Sequence, residues 1–357
     1  DGATSDDNRT LERILDRFPD SDADGDGVLT ADEGRTYIEE RTREWEERRR
    51  GRGRGNTRQR GPTHRDLAYG DHDNHRIDLY LAPQDADDPI PPPLVVYFHG
   101  GQFITGSKGD VEINTRALLA AGISVASVDY RQTRDEPFPA SFEDAARALQ
   151  FLRLNATQYN LNPEQFATAG SDAGGNLALY LALHDDLAQR PNARDRERRA
   201  NRDEEEDIYD EIGIAMQSTR VMGAMAINPL ASFDPRYWDD NELPLNNHER
   251  YLPAWLGVNF LEPFNDKELI DLVEELSPAE LVSADDPPVL LLSMFEDIPI
   301  DPETSWTIMR LHPRHCQLLG EAMHGWGNEA IVRYRNMAND PGTGSADFFP
   351  DLFGTNE

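Results

Sequence analysis

The chain alternates between two hydrophobic periods from about residue 66 onward. Short apolar runs recur along it, as is typical of parallel strands that are buried on both faces of a sheet. The predicted strands are residues 76–81, 94–99, 124–129, 165–169, 221–227 and 289–294. Helical spacing of apolar residues lies between them, notably at residues 141–158 and 173–189. This alternation predicts an α/β fold with a mostly parallel, doubly wound sheet.

The pattern before residue 66 is different. Residues 8–19 carry apolar side chains at helical spacing, and a second helical pattern begins near residue 31. Residues 48–65 are rich in Arg and Gly, which is typical of a flexible linker. The predicted parts are a small helical module at 1–47, a linker at 48–65, and an α/β domain at 66–357 with a charged insertion at 190–217 and a cap-like segment at 233–276.

The charge of the chain restricts its partners. Asp and Glu number 67 against 35 Lys and Arg, which gives a formal net charge of −32. Such a surface repels nucleic acid and anionic membranes, so we expect neither as a partner. No apolar run approaches the roughly 18–20 residues that cross a bilayer, and no membrane span is expected. The sequence does not identify a protein partner.

Residues 22–33 read DADGDGVLTADE and match the twelve-residue calcium loop of an EF-hand. Carboxylate and carbonyl oxygens at this spacing suit Ca²⁺, which takes about six to eight oxygen ligands. The predicted ligands are Asp22, Asp24, Asp26, the Val28 carbonyl and both oxygens of Glu33. A single loop of this kind favours a structural Ca²⁺ site, and Ca²⁺ is the one cofactor that the sequence predicts.

The start of the chain gives an expectation for its compartment. It begins at Asp1 without an apolar leader, as a chain does after a signal peptide is removed. Calcium is also abundant outside cells and scarce in the cytosol. We therefore expect a secreted or periplasmic protein.

Four motifs occur in the order expected for one fold family. They are HGGQ at 99–102, YRQTRDEPFPASFEDA at 130–145, AGSDAGGN at 169–176 and LSPAELVSADDPPVLLLSMFED at 276–297. Together they resemble the hormone-sensitive-lipase-like branch of the α/β-hydrolases, whose corresponding motifs include HGGG and GDSAGGN. The resemblance implies an α/β-hydrolase fold and an esterase or lipase that acts on small carboxylic esters. It also implies an oxyanion hole formed by amides of Gly100, Gly101 and Ala173.

The third motif departs from the family at the position of its nucleophile. A nucleophile elbow needs small residues two positions before and two positions after the nucleophile. Gly170 and Gly174 bracket Asp172, whereas Ser171 is bracketed by two alanines. We therefore expect Asp172 at the apex, in the place of the catalytic serine.

The catalytic base depends on how the end of the chain folds. His324 resembles the terminal histidine of the family if residues 316–322 form the last strand. In the alternative, residues 302–324 form a helix and residues 330–334 form the last strand, which moves His324 to the wrong end of the sheet. His312 and His315 are fallback candidates for the base.

The resemblance also implies a carboxylate that orients the base. Asp297 follows the predicted strand at 289–294 and is the expected residue, with Glu296 and Asp301 as alternatives. Three hypotheses then remain open: a weak or altered ester hydrolase, an enzyme that uses Asp172 as nucleophile on a tetrahedral carbon as haloalkane dehalogenases and epoxide hydrolases do, and a non-catalytic protein.

Overall fold

The computed structural model describes most of the chain after residue 60. The described residues are 61–83, 90–188, 213–241, 243, 248–258, 265–301, 304–335, 337 and 344–355, with Ala23, Val28, Thr30, Glu33 and Thr36. Outside them lie residues 48–60 of the predicted linker, most of the predicted insertion, and the predicted calcium ligands Asp22, Asp24 and Asp26.

An eight-stranded sheet forms the centre of the described structure. Its strands are β1 (His64–Ala68), β2 (Arg76–Tyr80), β3 (Leu94–Phe98), β4 (Ser124–Val128), β5 (Phe166–Ser171), β6 (Ala224–Ile227), β7 (Val289–Ser293) and β8 (Ala330–Tyr334). They lie in the order β1-β2-β4-β3-β5-β6-β7-β8. The pairs β1–β2 and β2–β4 are antiparallel, and all the others are parallel. The predicted mostly parallel sheet is confirmed.

The strand missed by the apolar pattern is β1. Its sequence HRDLA is largely polar, and it lies at the edge of the sheet, where its side chains are half-buried or exposed. It begins at His64, inside the segment that the Arg/Gly composition predicted as linker. An edge strand needs few apolar residues, so this composition did not reveal it.

Helices cover both faces of the sheet, which explains why every residue of β3, β4, β5 and β6 is buried. The helices are α1 (Thr115–Ala120), α2 (Ala140–Leu154), α3 (Ala173–Leu183), α4 (Pro235–Asp240), α5 (His248–Leu256), α6 (Lys267–Leu276), α7 (Pro278–Leu281), α8 (Trp306–Met309), α9 (Pro313–Trp326) and α10 (Ser345–Phe353). Leu149 of α2, Leu177 of α3 and Leu319 of α9 pack in one core. Leu118 of α1 and Phe349 of α10 pack in the other. Within the described ranges, no helix is long and apolar enough to cross a membrane.

A lysine among three aspartates joins the sheet edge to the loop that follows β3. The Lys108 Nζ lies 2.8 Å from a carboxylate oxygen of Asp66, 3.5 Å from one of Asp129 and 3.7 Å from one of Asp78. The Lys108 carbonyl also accepts a hydrogen bond from the Ser127 hydroxyl. Because the three carboxylates repel one another, the ammonium group among them stabilises this edge.

The two lysines of the chain, Lys108 and Lys267, provide a matched test of this cluster. The Lys108 side chain is 16% exposed, whereas Lys267 is 83% exposed and pairs with Asp271 one helical turn away. We expect Lys108→Met to lower the free energy of unfolding by about 2 kcal/mol, because it removes the ammonium group from among three carboxylates, of which Asp78 and Asp129 are largely buried. Lys267→Met should have a much smaller effect, because solvent screens its exposed pair with Asp271. Urea denaturation measures both, and equal losses would contradict the role given to Lys108.

Candidate functional site

The turn between β5 and α3 has the sharp geometry of a nucleophile elbow. Asp172 lies at its apex with φ 52° and ψ −117°, a conformation that few residues other than glycine adopt. A Cβ on Gly170 would lie 2.0 Å from the Gly174 carbonyl oxygen, and one on Gly174 would lie 2.0 Å from the Phe98 carbonyl oxygen. The small residues are therefore required where strand and helix meet. The structure places Asp172, and not Ser171, at the apex.

The Asp172 carboxylate is bound by the loop after β3 and by a buried arginine. Its Oδ2 accepts hydrogen bonds from the Gly101 N–H at 3.1 Å and the Gln102 N–H at 2.9 Å. Its Oδ1 lies 3.5 Å from Nη1 of Arg310. The two side chains are 11% and 5% exposed, respectively. In the described part of the chain, these three groups are the hydrogen-bond partners of the carboxylate.

The amides that face the elbow differ in part from those expected. Gly101 is one of them, but the second is Gln102 instead of Gly100. The Gly100 carbonyl instead accepts a hydrogen bond from Nδ1 of His99 at 2.7 Å. The Ala173 amide begins α3 and makes no bond to the Asp172 carboxylate.

Gln102 is itself a departure from the family motif. Its φ is 56°, a conformation that glycine adopts freely and other residues adopt at a cost of roughly 1 kcal/mol. The family has the third glycine of HGGG at this position. The loop of this chain thus keeps the glycine conformation although a glutamine occupies it.

His324 and the elbow lie at opposite ends of the parallel strands. Its Nε2 is 3.1 Å from the carbonyl oxygen of Ala330, the first residue of β8, which pairs with the first residue of β7. Asp172 instead follows the last residue of β5, and a five-residue strand spans about 16 Å. The assignment of His324 as catalytic base is therefore wrong.

The reason is that residues 316–322 belong to helix α9 and not to a strand. Cys316, Leu319 and Met323 are buried, and their spacing is that of one helical face. The His312 side chain caps the start of this helix by accepting a hydrogen bond from the Arg314 N–H. The alternative prediction, with residues 330–334 as the last strand, is the correct one.

The fallback histidines have structural roles. Nε2 of His312 lies 2.8 Å from the Ile298 carbonyl oxygen, and its Nδ1 accepts a hydrogen bond from the Arg314 N–H. Burial lowers the pKa of His312, which favours the neutral ring. In His315, Nδ1 accepts from the Ala231 N–H and Nε2 lies 3.1 Å from the Met309 carbonyl oxygen. Because each ring nitrogen already has a backbone partner, neither ring can take a proton from a group at the elbow.

The expected orienting carboxylate faces a different partner. Asp297 accepts a hydrogen bond from the Gln317 amide at 3.1 Å, and its nearest histidine nitrogen is Nε2 of His312 at 3.8 Å. Glu296 lies 3.8 Å from Arg335, and Asp301 accepts from the Thr304 hydroxyl. The structure therefore does not join Asp297 to His324 or to the elbow.

Arg310 is the residue of this site that the sequence pattern did not reveal. It follows α8 and lies four residues after Trp306, one helical turn away in the WTIMR segment. Both residues are buried. A cation within an apolar run needs an anionic partner when it is buried. That spacing was the available signal, but it did not identify Asp172 as the partner.

Aromatic residues of the cap-like segment cover the HGGQ loop after β3 (residues 99–102), which is the predicted oxyanion loop. The Trp255 indole N–H donates to the Gln102 carbonyl at 2.9 Å. The rings of Phe103, Phe138 and Phe233 lie 5.7–6.0 Å from the Trp255 ring, and all are buried. The protein's own side chains thus fill the space beside the loop. Among the described residues, no group of His, Cys, Asp and Glu is arranged to bind a metal ion.

Curated relatives match limited parts of the chain. Carboxylesterase NlhH of Mycobacterium tuberculosis is 37% identical over 91 residues, which are 25% of this chain and 28% of that protein. A probable isoprenylcysteine alpha-carbonyl methylesterase, ICMEL1 of Oryza sativa subsp. japonica, is 32% identical over 120 residues, 34% of this chain and 28% of that protein. The matched region is thus little more than a quarter of each relative.

Solved structures match the fold over a longer range. An acetyl ester-xyloside bifunctional hydrolase from Caldicellulosiruptor lactoaceticus superposes with a TM-score of 0.55 at 20% identity, covering 79% of this chain and 89% of that one. An esterase from Thermogutta terrifontis with bound butyrate gives a TM-score of 0.53 at 20% identity, covering 76% and 82%. These similarities show the α/β-hydrolase fold.

A protein-family comparison covers more than half of the sequence. The family described as BD-FAE matches residues 77–310, from the start of β2 to Arg310. This range includes the oxyanion loop, the elbow and the cap-like segment. The chain therefore belongs to the BD-FAE family, has the α/β-hydrolase fold and resembles carboxylesterases over part of its sequence.

Proposed function

We propose that this chain is a non-catalytic member of its family, in which the hydrolase fold serves binding or assembly. The occupied oxyanion hole is the observation that carries the proposal. An ester hydrolase must offer its loop amides to the carbonyl oxygen of the substrate as negative charge develops there. Here the Gly101 and Gln102 amides already bind the Asp172 carboxylate.

The surroundings of the elbow support the same conclusion. Activation of a nucleophile or of water needs a neighbouring base, which is usually a histidine. Among the residues that the structure describes, no histidine hydrogen-bonds to Asp172. No histidine follows His324 in the sequence, so the segment after β8 has none to offer.

The chemistry of a carboxylate also argues against ester turnover. Attack of a carboxylate on an ester would form a mixed anhydride, which is harder to reach than the acyl-enzyme that a serine forms. The ester-cleaving activities named for the relatives therefore need groups that this site does not assemble.

A second candidate function is attack by Asp172 on a tetrahedral carbon. The favouring observation is that the two amides bind Oδ2 alone, which leaves Oδ1 as the potential nucleophile. Arg310 lies near Oδ1 and reduces its reactivity, and release of an alkyl-enzyme ester would still require an activated water.

We expect Asp172→Ser, and the double variant Ser171→Asp with Asp172→Ser that restores the family motif, to remain inactive on p-nitrophenyl acetate. Without a base, the rate should stay at least about 10³-fold below that of a complete triad enzyme. Asp172→Asn is the matched control that keeps the size of the side chain. Melting temperatures of all three variants establish that they are folded.

Robust multiple-turnover hydrolysis by either serine variant would contradict the proposal, since it would require a base near residue 172. The second candidate is measured on the native chain. Intact mass after incubation with a small alkyl bromide or a terminal epoxide should show no adduct on Asp172. An adduct that is absent from Asp172→Asn would favour the second candidate instead.

We also propose that residues 22–33 bind one structural Ca²⁺. The twelve-residue spacing of the oxygen-bearing side chains supports this proposal, with Glu33 at the last position of the loop. The Oε2 of Glu33 accepts hydrogen bonds from the Thr30 N–H at 2.9 Å and from the Thr30 hydroxyl at 2.6 Å. Such a site suits a calcium-rich compartment, in line with a secreted or periplasmic location.

Calorimetry should show about one Ca²⁺ bound per chain. Glu33→Gln should weaken binding by at least about tenfold, because the closing carboxylate is lost. Asp32→Asn removes one negative charge from a non-ligand position of the same loop, so its affinity should stay within a few-fold of the native value. Absence of binding at millimolar Ca²⁺ would rule the site out.

A further inference from the structure

We infer that the oxyanion loop and Arg310 form a binding site for a carboxylate group, and that the native chain fills this site with its own Asp172. The inference rests on the same non-catalytic site as the proposed function, but it concerns what the site binds and not what it hydrolyses.

The site matches both oxygens of a carboxylate. Two backbone N–H groups converge on Oδ2 at 2.9 and 3.1 Å, from Gln102 and Gly101. The Arg310 guanidinium faces the other oxygen at 3.5 Å. Two N–H donors on one oxygen and a cation beside the second are the groups that distinguish a carboxylate from a neutral carbonyl. A carbonyl group offers one oxygen and no charge.

Burial favours an anionic occupant. Arg310 is only 5% exposed, and removing one partner from a buried ion pair is costly. The Asp172 carboxylate stands at the N-cap position of α3 but makes no capping hydrogen bond, so it is committed to the loop and to Arg310. The positive end of the α3 dipole favours an anion at the same place.

The removed group and its replacement can be matched in size. Aspartate carries its carboxylate on a methylene and acetate carries it on a methyl, so acetate can supply to Asp172→Gly the group that the substitution removes. Glycine also adopts the φ of 52° found at residue 172 without strain, and the backbone of the elbow is therefore preserved.

The experiment measures the melting temperature of Asp172→Gly in sodium acetate and in sodium chloride of equal ionic strength. We expect the variant to melt below the native chain, and acetate to raise its melting temperature along a one-site saturation curve. Acetamide, a neutral analogue of the same shape, should have no effect. Calorimetry should give about one acetate per chain for the variant and none for the native protein, whose site is filled.

Two control variants separate this site from general effects of charge. Asp66→Gly removes a carboxylate that also has a positive φ, of 56°, and lies 2.8 Å from a lysine, but at a side chain that is 57% exposed. Acetate should not stabilise it. Asp172→Gly combined with Arg310→Met keeps the cavity and the two amides without the cation, and should bind acetate at least about tenfold more weakly.

The inference is overturned if acetate leaves Asp172→Gly unchanged, stabilises Asp66→Gly equally, or binds the double variant as tightly as the single one. If Asp172→Gly is recovered unfolded, refolding from urea in acetate and in chloride decides: recovery in acetate supports the site, and equal failure in both refutes it. Esterase activity in Asp172→Ser would refute the proposed function and leave the acetate result standing.

Discussion

The contact between α3 and the two strands beneath it determines the geometry of the whole site. Neither Gly170 nor Gly174 has space for a Cβ, which would lie 2.0 Å from a backbone oxygen in each case. The chain must therefore turn sharply between β5 and α3, and residue 172 takes a positive φ. In that conformation the side chain reaches the amides of the loop after β3. The fold thus fixes where residue 172 points, whatever its chemistry.

The chemistry of residue 172 then decides what the geometry can do. A serine hydroxyl at the apex would leave the loop amides available for a substrate oxygen, whereas the carboxylate of Asp172 uses them itself. A negative charge in this buried place also needs a cation, which Arg310 provides. The nearby His312 and His315 are engaged with the backbone. These contacts support the proposed non-catalytic role.

The same principle operates elsewhere in this acidic molecule, where internal cations act as counter-ions for buried carboxylates. Burial opposes ionisation of Asp144, but hydrogen bonds from His75 and Arg131 outweigh it and keep the pKa of Asp144 below its ordinary value. Lys108 serves three carboxylates at the sheet edge. Acidic side chains outnumber basic ones by 67 to 35, and Lys108 and Arg131 each pair with three carboxylates.

The sequence by itself determined the strands from β2 to β7 and the apex of the elbow, because apolar periodicity and the glycine spacing around Asp172 are local properties of the chain. It did not determine at which end of the strands His324 lies, although the spacing of apolar residues from Cys316 to Met323 indicated a helix there. Nor did it pair Asp172 with Arg310, which is 138 residues away. Only the tertiary structure decides such contacts, since they depend on which strand ends are adjacent and on which buried charges must neutralise each other.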